Sequence, residues 1–242
     1  MRWSRSKLKK HEAMARSSKL AAHLPDTRRR TRENFYALLE TYGAVIVKPV
    51  GGWGGKGVIS VVSKGGSEYV YQKGKKKIVI RGRDAVYERV REKTKGAKTL
   101  VQRKISLATV DGKPFDLRVM VQRKKDSPWR VTGKLAKVAG SGYIVTNIRR
   151  SGGKVLPFDE AVRRSKIRHV SLRKLERRVD DVALTAAKQL GRSYRIDVCG
   201  LDIGLDARGK VWIIEPNFTP DPGLFKKLKD RSMYRRILSY GK

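Results

Sequence analysis

A glycine-rich segment flanked by lysines is the part of the sequence best suited to hold phosphate. An apolar strand that ends at Lys48 leads into a run containing Gly51, Gly52, Gly54, Gly55, Lys56 and Gly57. Glycine lets the backbone adopt positive φ, and consecutive N–H groups of a turn form a concave anion site. The spacing matches neither a P-loop nor a dinucleotide-binding loop, so an ordinary glycine-rich hairpin turn stays an alternative.

A second group of polar residues lies about 150 positions later, on two strands joined by a short turn. Asp202 is on the first strand, and Glu215 and Asn217 are on the second. Residues two apart in a strand point to one face, so Glu215 and Asn217 project together. Magnesium binds hard oxygen ligands together with nucleotide phosphates. The three residues therefore predict a Mg²⁺ site, although Glu215 alone is equally compatible with a solvated strand end.

Further polar candidates lie between these two segments. Asp116 and Arg118 alternate along one strand, and an arginine can hold a phosphate or carboxylate with two hydrogen bonds. A cross-strand salt bridge is the simpler alternative for that pair. Asn147, followed by Gly152 and Gly153, could add an amide ligand and a second turn lined by backbone, or could belong to an ordinary hairpin.

Composition limits the class of protein. With 242 residues and 39% hydrophobic content, the chain can form one or two lobes with a real core. It contains no apolar run of about 18 residues and no secretory signal pattern, so we expect no transmembrane segment and a cytoplasmic location. The single cysteine, Cys199, lies in an apolar strand and is expected to be a buried core residue.

The charge is extreme. There are 58 lysine and arginine residues against 22 acidic residues, which gives a formal net charge of +36. Such a field attracts polyanions, whether nucleic acid, anionic lipid or acidic peptide. The basic clusters are spread along the chain and lack the interleaved aromatic residues of a base-stacking surface. A solvated basic surface without a polyanionic partner is an equal alternative.

Hydrophobic periodicity predicts four parts. These are a basic helical segment over 1–24, a smaller lobe with the glycine-rich loop over 25–98, a larger lobe with the metal site over 99–230, and a basic tail over 231–242. In the smaller lobe, Asp26 or Thr27 is expected to cap a helix that ends at Gly43. Strands are predicted near 44–49, 57–63, 68–72 and 77–80, with a helix over 84–95.

The larger lobe is expected to begin with a strand over 99–105. Two strands, over 115–123 and 129–138, follow it. A long helix over 171–190 carries an apolar stripe at helical spacing and is predicted to end at Gly191.

The order of the motifs resembles the ATP-grasp superfamily, and most closely the YheC/YheD family of endospore coat-associated proteins. The motifs, in order, are V-I-V-K-P, G-G-x-G-G-K-G-V, L-V-Q-x-x-I, D-L-R-V, T-N-I-x-x-x-G-G, G-L-D-I and I-I-E-P-N. The resemblance covers nearly all of residues 18–230. It implies an α+β, two-lobed ATP-grasp fold, with the nucleotide between two antiparallel-rich sheets.

The resemblance also implies roles. Lys48 would contact the α-phosphate, and the 51–57 loop would cover the β- and γ-phosphates of ATP. Backbone near Gln102 and Ile105 would contact adenine. Mg²⁺ would be held by Asp202, Glu215 and Asn217, while Arg118 and Asn147 would face the γ-phosphate and the acyl phosphate. One departure is Arg103-Lys104, where many relatives place an acidic residue for the ribose, so ribose recognition is unassigned.

These implications favour an ATP- and Mg²⁺-dependent carboxylate–amine or carboxylate–thiol ligase that acts through an acyl phosphate, with an acidic peptide or polymer as substrate. The first alternative is a non-enzymatic spore-coat or polyanion-binding protein that keeps the fold. The second is a nucleic-acid-binding or RNA-modifying protein. The family resemblance adds spore association to the expected cytoplasmic location.

Overall fold

The computed structural model describes residues 4–52, 54–144, 146, 148–168 and 170–241. The helices are α1 Lys7–Ala15, α2 Ser18–Ala21, α3 Arg32–Tyr42, α4 Arg83–Lys93, α5 Ile148–Ser151, α6 Phe158–Arg164, α7 Leu172–Ser193 and α8 Ser232–Ser239. The strands are β1 Thr27–Arg29, β2 Ala44–Pro49, β3 Ile59–Gly65, β4 Glu68–Lys73, β5 Lys76–Arg81, β6 Thr99–Arg103, β7 Thr109–Val110, β8 Lys113–Gln122, β9 Arg130–Val138, β10 Lys154–Pro157, β11 Val198–Leu205 and β12 Val211–Asn217.

Two antiparallel sheets form the framework. The smaller lobe contains the order β1-β6-β2-β3-β4-β5, and the larger lobe contains β10-β9-β8-β11-β12 with β7 beside β8. Each sheet has its own hydrophobic core. The α+β class and the two-lobed arrangement are therefore confirmed.

The smaller lobe packs α3 and α4 on one face of its sheet. The core of this lobe contains residues from both helices and from the sheet, among them Phe35 and Leu38 of α3, Val86 of α4, Val47 of β2 and Val101 of β6. The predicted start of α3 was wrong, because residues 27–29 pair with β6 as a strand. Thr31 caps the helix instead: its Oγ1 accepts a hydrogen bond from the backbone N of Asn34 at 3.1 Å.

Strand β6 also departs from the prediction. It ends at Arg103, and its residues pair with β1 on one side and β2 on the other. Thr99 therefore lies in the smaller lobe's sheet and does not begin the larger lobe. The strand is apolar on both faces, so sequence alone could not assign it to one of the two sheets.

The N-terminal segment forms two helices where one was predicted. Ser6 caps α1 by accepting from the backbone N of Lys9 at 3.2 Å, and the chain leaves helical geometry at Ser17 before α2. Helix α1 packs against α7, β1 and β12, so it contacts both lobes. After α2, the carbonyl of His23 accepts from the backbone N of Ile213 on β12 at 2.8 Å. Four residues later, Thr27 pairs with Gln102 on β6.

The larger lobe packs α7 against one face of its sheet. Five residues of the predicted stripe are buried, and Leu172 is partly buried; the five are Leu175, Val179, Val182, Ala183 and Ala186. The helix continues past Gly191 to Ser193, so its predicted end was wrong. Gly191 packs against the Trp129 indole, where an added Cβ would be 3.2 Å from Cζ2. Cys199 is buried in the same core, and burial raises its thiol pKa to about 12.

The opposite face of the larger sheet is partly covered by the C-terminal residues. A 3₁₀ helix at Pro222–Lys227 and α8 bring Phe225 and Ile237 onto Met120 and Leu135. The segment predicted as a basic tail over 231–242 therefore contains a helix, α8, that packs on this sheet through Met233, Tyr234 and Ile237. Within the described residues, no helix is long and apolar enough to cross a membrane.

Candidate functional site

The lysine at the end of β2 meets the acidic strand β12. Lys48 Nζ donates to Gln102 Oε1 at 3.0 Å and lies 3.4 Å from the carbonyl oxygen of Ile214. Lys48 and Glu215 line one small cavity of about 10 Å³ between the two sheets. Residues separated by more than 160 positions in the chain are therefore neighbours in the fold.

The environment of Lys48 weakens its hold on a proton. The ammonium is buried, and burial lowers its pKa, while the charge of Glu215 partly opposes that shift. An incoming anion would supply the negative charge that a buried ammonium lacks. Lys48 is thus placed to gain from phosphate binding.

The glycine-rich loop has positive φ at four of its glycines. Positive φ values occur at Gly52, Gly54, Gly55 and Gly57, between 70° and 90°. Side chains other than glycine rarely adopt this region, so the glycines are required by conformation. At Gly57 an added Cβ would also lie 3.0 Å from Pro49 Cγ. Gly51 and Lys56 are exposed.

Helix α1 brings two cations to the site that the sequence analysis missed. Lys7 Nζ donates to the Gly52 carbonyl oxygen at 2.6 Å and pairs with Glu215 Oε1 at 3.2 Å. Its backbone N also donates to the carbonyl of Val50 at 2.9 Å. Lys10 Nζ donates to the Pro216 carbonyl oxygen at 2.6 Å. Nothing in the basic N-terminal sequence distinguishes these lysines from their neighbours.

A buried ionic network lies on the next strands. Arg118 contacts Asp202 Oδ1 through Nε and Nη2, both at 3.0 Å, and Lys137 Nζ lies 2.8 Å from the same oxygen. Burial alone would raise the pKa of Asp202, but the two cations outweigh it and lower the pKa to about 2. Asp202 is therefore ionised throughout the neutral range.

Lys137 joins Asp202 to a second carboxylate. Its Nζ is 3.1 Å from Asp116 Oδ1, and the Thr146 hydroxyl donates to Asp116 Oδ2. Burial is the largest effect on Asp116 and raises its pKa to about 6, although Lys137 pulls the other way. Lys137 was missed by the sequence analysis. A single lysine within the apolar run Leu135–Val138 was the signal that could have indicated it.

The predicted adenine segment lies where β6 leaves the smaller sheet. The Gln102 side chain points toward Lys48, and Ile105 is partly buried after the strand. The Arg103 guanidinium lies 4.7 Å from the Tyr42 ring and 4.9 Å from the Trp212 ring. Arg103, at the position where the sequence left ribose recognition unassigned, is therefore held between aromatic rings of the two lobes.

Comparison with known proteins gives the family. A family model described as YheC/D-like ATP-grasp matches residues 2–242. The chain belongs to the YheC/D-like ATP-grasp family. The endospore coat-associated protein YheD of Bacillus subtilis (strain 168) is 32% identical over 128 residues, which are 52% of this YheC/D-like chain and 27% of YheD. The chain thus spans about a quarter of that relative's length.

Solved structures share the fold of this YheC/D-like chain. VanG D-Ala:D-Ser ligase from Enterococcus faecalis matches with a TM-score of 0.58 and 16% identity, over 98% of this chain and 61% of VanG. The purK N5-carboxyaminoimidazole ribonucleotide synthetase, solved as its ADP complex, matches with a TM-score of 0.57 and 14% identity, over 97% of this chain and 50% of purK. The ATP-grasp ligase PsnB, complexed with minimal precursor, matches with a TM-score of 0.56 and 15% identity, over 98% of this chain and 60% of PsnB. At these identities the likeness shows the ATP-grasp fold.

The donor set of this YheC/D-like chain fits a magnesium ion. Asp202 pairs with Glu215 across the hairpin, and Asn217 pairs with Gly200, so the three predicted ligands share one face. Within the described chain, cations contact Oδ1 of Asp202 and Oε1 of Glu215, and these side chains are 22% and 26% exposed. Asn217 Oδ1 accepts from the Thr219 backbone N at 3.0 Å. Two accessible carboxylates and an amide oxygen suit a cation that also binds phosphates.

The two lobes of this YheC/D-like chain also touch at the far edge of the cleft. Gln72 Nε2 on β4 donates to the Gly142 carbonyl oxygen at 2.8 Å, and Lys75 Nζ lies 5.3 Å from the Tyr143 ring centroid. The next predicted site residue along the chain, Asn147, lies outside the described residues. Its proposed role therefore stays a prediction.

Proposed function

We propose that this chain is an ATP- and Mg²⁺-dependent ligase that activates a carboxylate as an acyl phosphate and joins it to an amine or thiol. The supporting observation is the meeting of Lys48 and Glu215 in one cavity between the lobes, beside the glycine-rich loop. ATP would lie between the two sheets, with its phosphates toward that loop.

The chain's own groups would hold the triphosphate. The N–H groups of the glycine-rich loop, the Lys48 ammonium and the Lys7 ammonium are all donors that can face phosphate oxygens. Lys7 now bonds to Gly52 and Glu215, and a phosphate could replace Glu215 as its ionic partner. Asp202, Glu215 and Asn217 would hold Mg²⁺, which neutralises phosphate charge when bound.

Arg118 and Lys137 are the cations available to the reacting groups. The substrate carboxylate oxygen would form a bond to the γ-phosphorus as the bond to ADP breaks. The amine or thiol would then form a bond to the acyl carbon as phosphate leaves. Both steps need charge stabilisation and positioning, and neither needs a protein nucleophile. This agrees with a site made of cations and carboxylates in which Cys199 is buried and takes no part.

We propose an acidic peptide or polymer as the carboxylate substrate. The net charge of +36 would attract such a molecule and speed its encounter with the cleft. Association with a spore coat, the setting named for YheD, is the proposed cellular location.

Thermal unfolding with and without Mg·ATP tests the nucleotide site. A ligand at about 100 times its dissociation constant should stabilise the fold by about 2.7 kcal/mol. Glu215→Gln should remove most of the Mg²⁺-dependent part of that shift. Glu176→Gln, which changes a half-exposed carboxylate on α7 that pairs with Lys134, is the matched control and should leave the shift intact.

The absence of any shift in the unaltered chain would refute the ligase proposal. Release of ADP in the presence of acidic peptides tests turnover. A normal shift with Mg·ATP but no ADP release with any acidic acceptor would favour the alternative, a polyanion-binding protein that keeps the nucleotide site.

A further inference from the structure

A basic groove lies outside the nucleotide site, at the end of the smaller sheet where β2 leads into the glycine-rich loop. Its volume is about 550 Å³, within the range of known ligand sites. Its lining includes four cationic side chains, those of Arg30, Arg91, Lys95 and Lys98, and one acidic side chain, that of Glu92. We propose that this groove binds an extended acidic segment of the polypeptide substrate.

The positive charge of the groove is only partly neutralised by neighbouring acidic groups. Arg91 pairs with Glu88, and Glu92 pairs with Arg89 and Lys93. Lys95 and Lys98 are exposed, and within the described part of the chain neither side chain has an acidic partner. The groove therefore carries unpaired cations that carboxylates can neutralise.

Arg30 forms a fixed wall of the groove. Its Nε donates to Thr99 Oγ1 at 2.6 Å, its Nη1 donates to the Tyr87 hydroxyl at 3.1 Å, and the guanidinium lies 5.8 Å from the Tyr87 ring. These contacts hold the charged group in place before any ligand arrives. A cation fixed in this way loses little side-chain entropy when it binds a carboxylate.

The groove adjoins the proposed active site through the backbone. The Lys98 carbonyl oxygen accepts from Val50 N at 2.9 Å, and the Val50 carbonyl oxygen accepts from Lys7 N at 2.9 Å. Lys7 Nζ in turn contacts Gly52 and Glu215. Arg30 and Thr99 face the helix side of the sheet, whereas Lys48 and Gln102 face the cleft. A bound segment would therefore reach the cleft by passing around the end of the sheet.

The chemistry of the groove favours an acidic peptide over nucleic acid. No aromatic side chain belongs to its described lining, so unpaired bases would find no stacking surface there. Clustered lysine and arginine groups can each take one carboxylate along an extended chain. The role in substrate docking rests on the proposed ligase function, while the binding itself does not.

The test measures the affinity of the chain for a fluorescein-labelled oligoglutamate of about ten residues, using fluorescence anisotropy at about 50 mM salt. The double variant Lys95→Glu with Lys98→Glu should weaken binding by about tenfold. The matched control is Lys174→Glu with Arg177→Glu, two exposed cations with the same spacing on α7, and it should change affinity by less than about threefold. Unaltered thermal unfolding of both variants checks that they fold.

Equal weakening by the two double variants would overturn the proposal, because general charge would then explain binding. A labelled oligothymidine of similar length is the nucleic-acid comparison. If it binds as tightly as oligoglutamate, and if the Lys95→Glu, Lys98→Glu variant no longer binds it, the proposal is overturned in favour of nucleic acid. The shift in thermal unfolding caused by Mg·ATP should be unchanged in the Lys95→Glu, Lys98→Glu variant. If Mg·ATP does not shift the thermal unfolding of any variant while oligoglutamate binding still depends on Lys95 and Lys98, the ligase proposal is refuted and peptide binding by the groove is supported.

Discussion

At the scale of single residues, the site is defined by buried charges that neutralise one another. Two cations, Arg118 and Lys137, face two carboxylates, Asp116 and Asp202. Removing one member of a buried ionic network is costly because the remaining charges stay buried without compensation. Lys137 is the central member, since it contacts both carboxylates.

Lys137→Met is therefore expected to lower the free energy of unfolding by about 3 kcal/mol. Lys134→Met on the same strand is the control. Lys134 pairs with Glu176 and Asp180, whose side chains are 46% and 30% exposed, so its loss should cost about 1 kcal/mol or less. Urea unfolding of the three proteins measures both differences. Equal losses would show that the Lys137 network is no more costly to break than the part-buried pairs of Lys134.

The raised pKa of Asp116 predicts how the stability of the fold changes with pH. Its pKa is raised from an ordinary 3.8 to about 6, so the folded chain binds this proton more tightly than the unfolded chain does. Between about pH 4 and about pH 6, the contribution of Asp116 to stability falls as pH rises. Asp116→Asn removes that titration, so the stability of the variant should fall less than that of the unaltered protein as pH rises across this window. Urea unfolding across the window tests the prediction, and parallel curves for the two proteins would contradict it.

The residues that sequence identified were those whose type and spacing are unusual. Lys48 before a glycine run and Glu215 two residues from Asn217 both stand out, and the structure brings Lys48 and Glu215 together. Lys7 and Lys10 could not be identified, because their importance comes from contacts with Gly52 and Pro216 that the folded arrangement alone creates.

At the scale of elements, the C-terminal helix α8 shows how charge can hide a structural role. The segment is rich in arginine, yet Ile237 is only 3% exposed and packs against Phe225 and Leu135. Ile237→Ala should lower the free energy of unfolding by about 2 to 4 kcal/mol. Leu238→Ala, one residue later and 43% exposed, should cost less than about 1 kcal/mol. Urea unfolding of the pair measures the contrast, and similar costs would mean that α8 is not packed as described.

Element types were easier to predict than element limits. The continuous apolar run of β2 and the glycine at position 43 correctly predicted β2 and the end of α3. Strand β1 was missed because its three residues include two arginines and carry no apolar signal. Its pairing with β6 depends on a partner about 75 positions away, and local periodicity contains no information about that partner.

At the scale of the whole molecule, the net charge of +36 predicts non-specific affinity for any polyanion. We expect a random DNA duplex of about 20 base pairs to bind weakly and without sequence preference. Its affinity should fall by at least about 100-fold between about 50 and about 200 mM salt, as counterions are released from the phosphates. Fluorescence anisotropy at several salt concentrations measures this. A flat response, or one preferred sequence, would support a dedicated nucleic-acid site.

The backbone between His23 and Thr27 restricts how the two lobes can separate. His23 is bonded to β12, at one edge of the larger sheet, and Thr27 is bonded to β6 from β1, at one edge of the smaller sheet. Four residues reach at most about 14 Å when fully extended. If the lobes separate, we expect this edge to act as the pivot and the opposite edge, where Gln72 meets Gly142, to move farthest. We therefore expect a nucleotide to enter and leave by that outer edge.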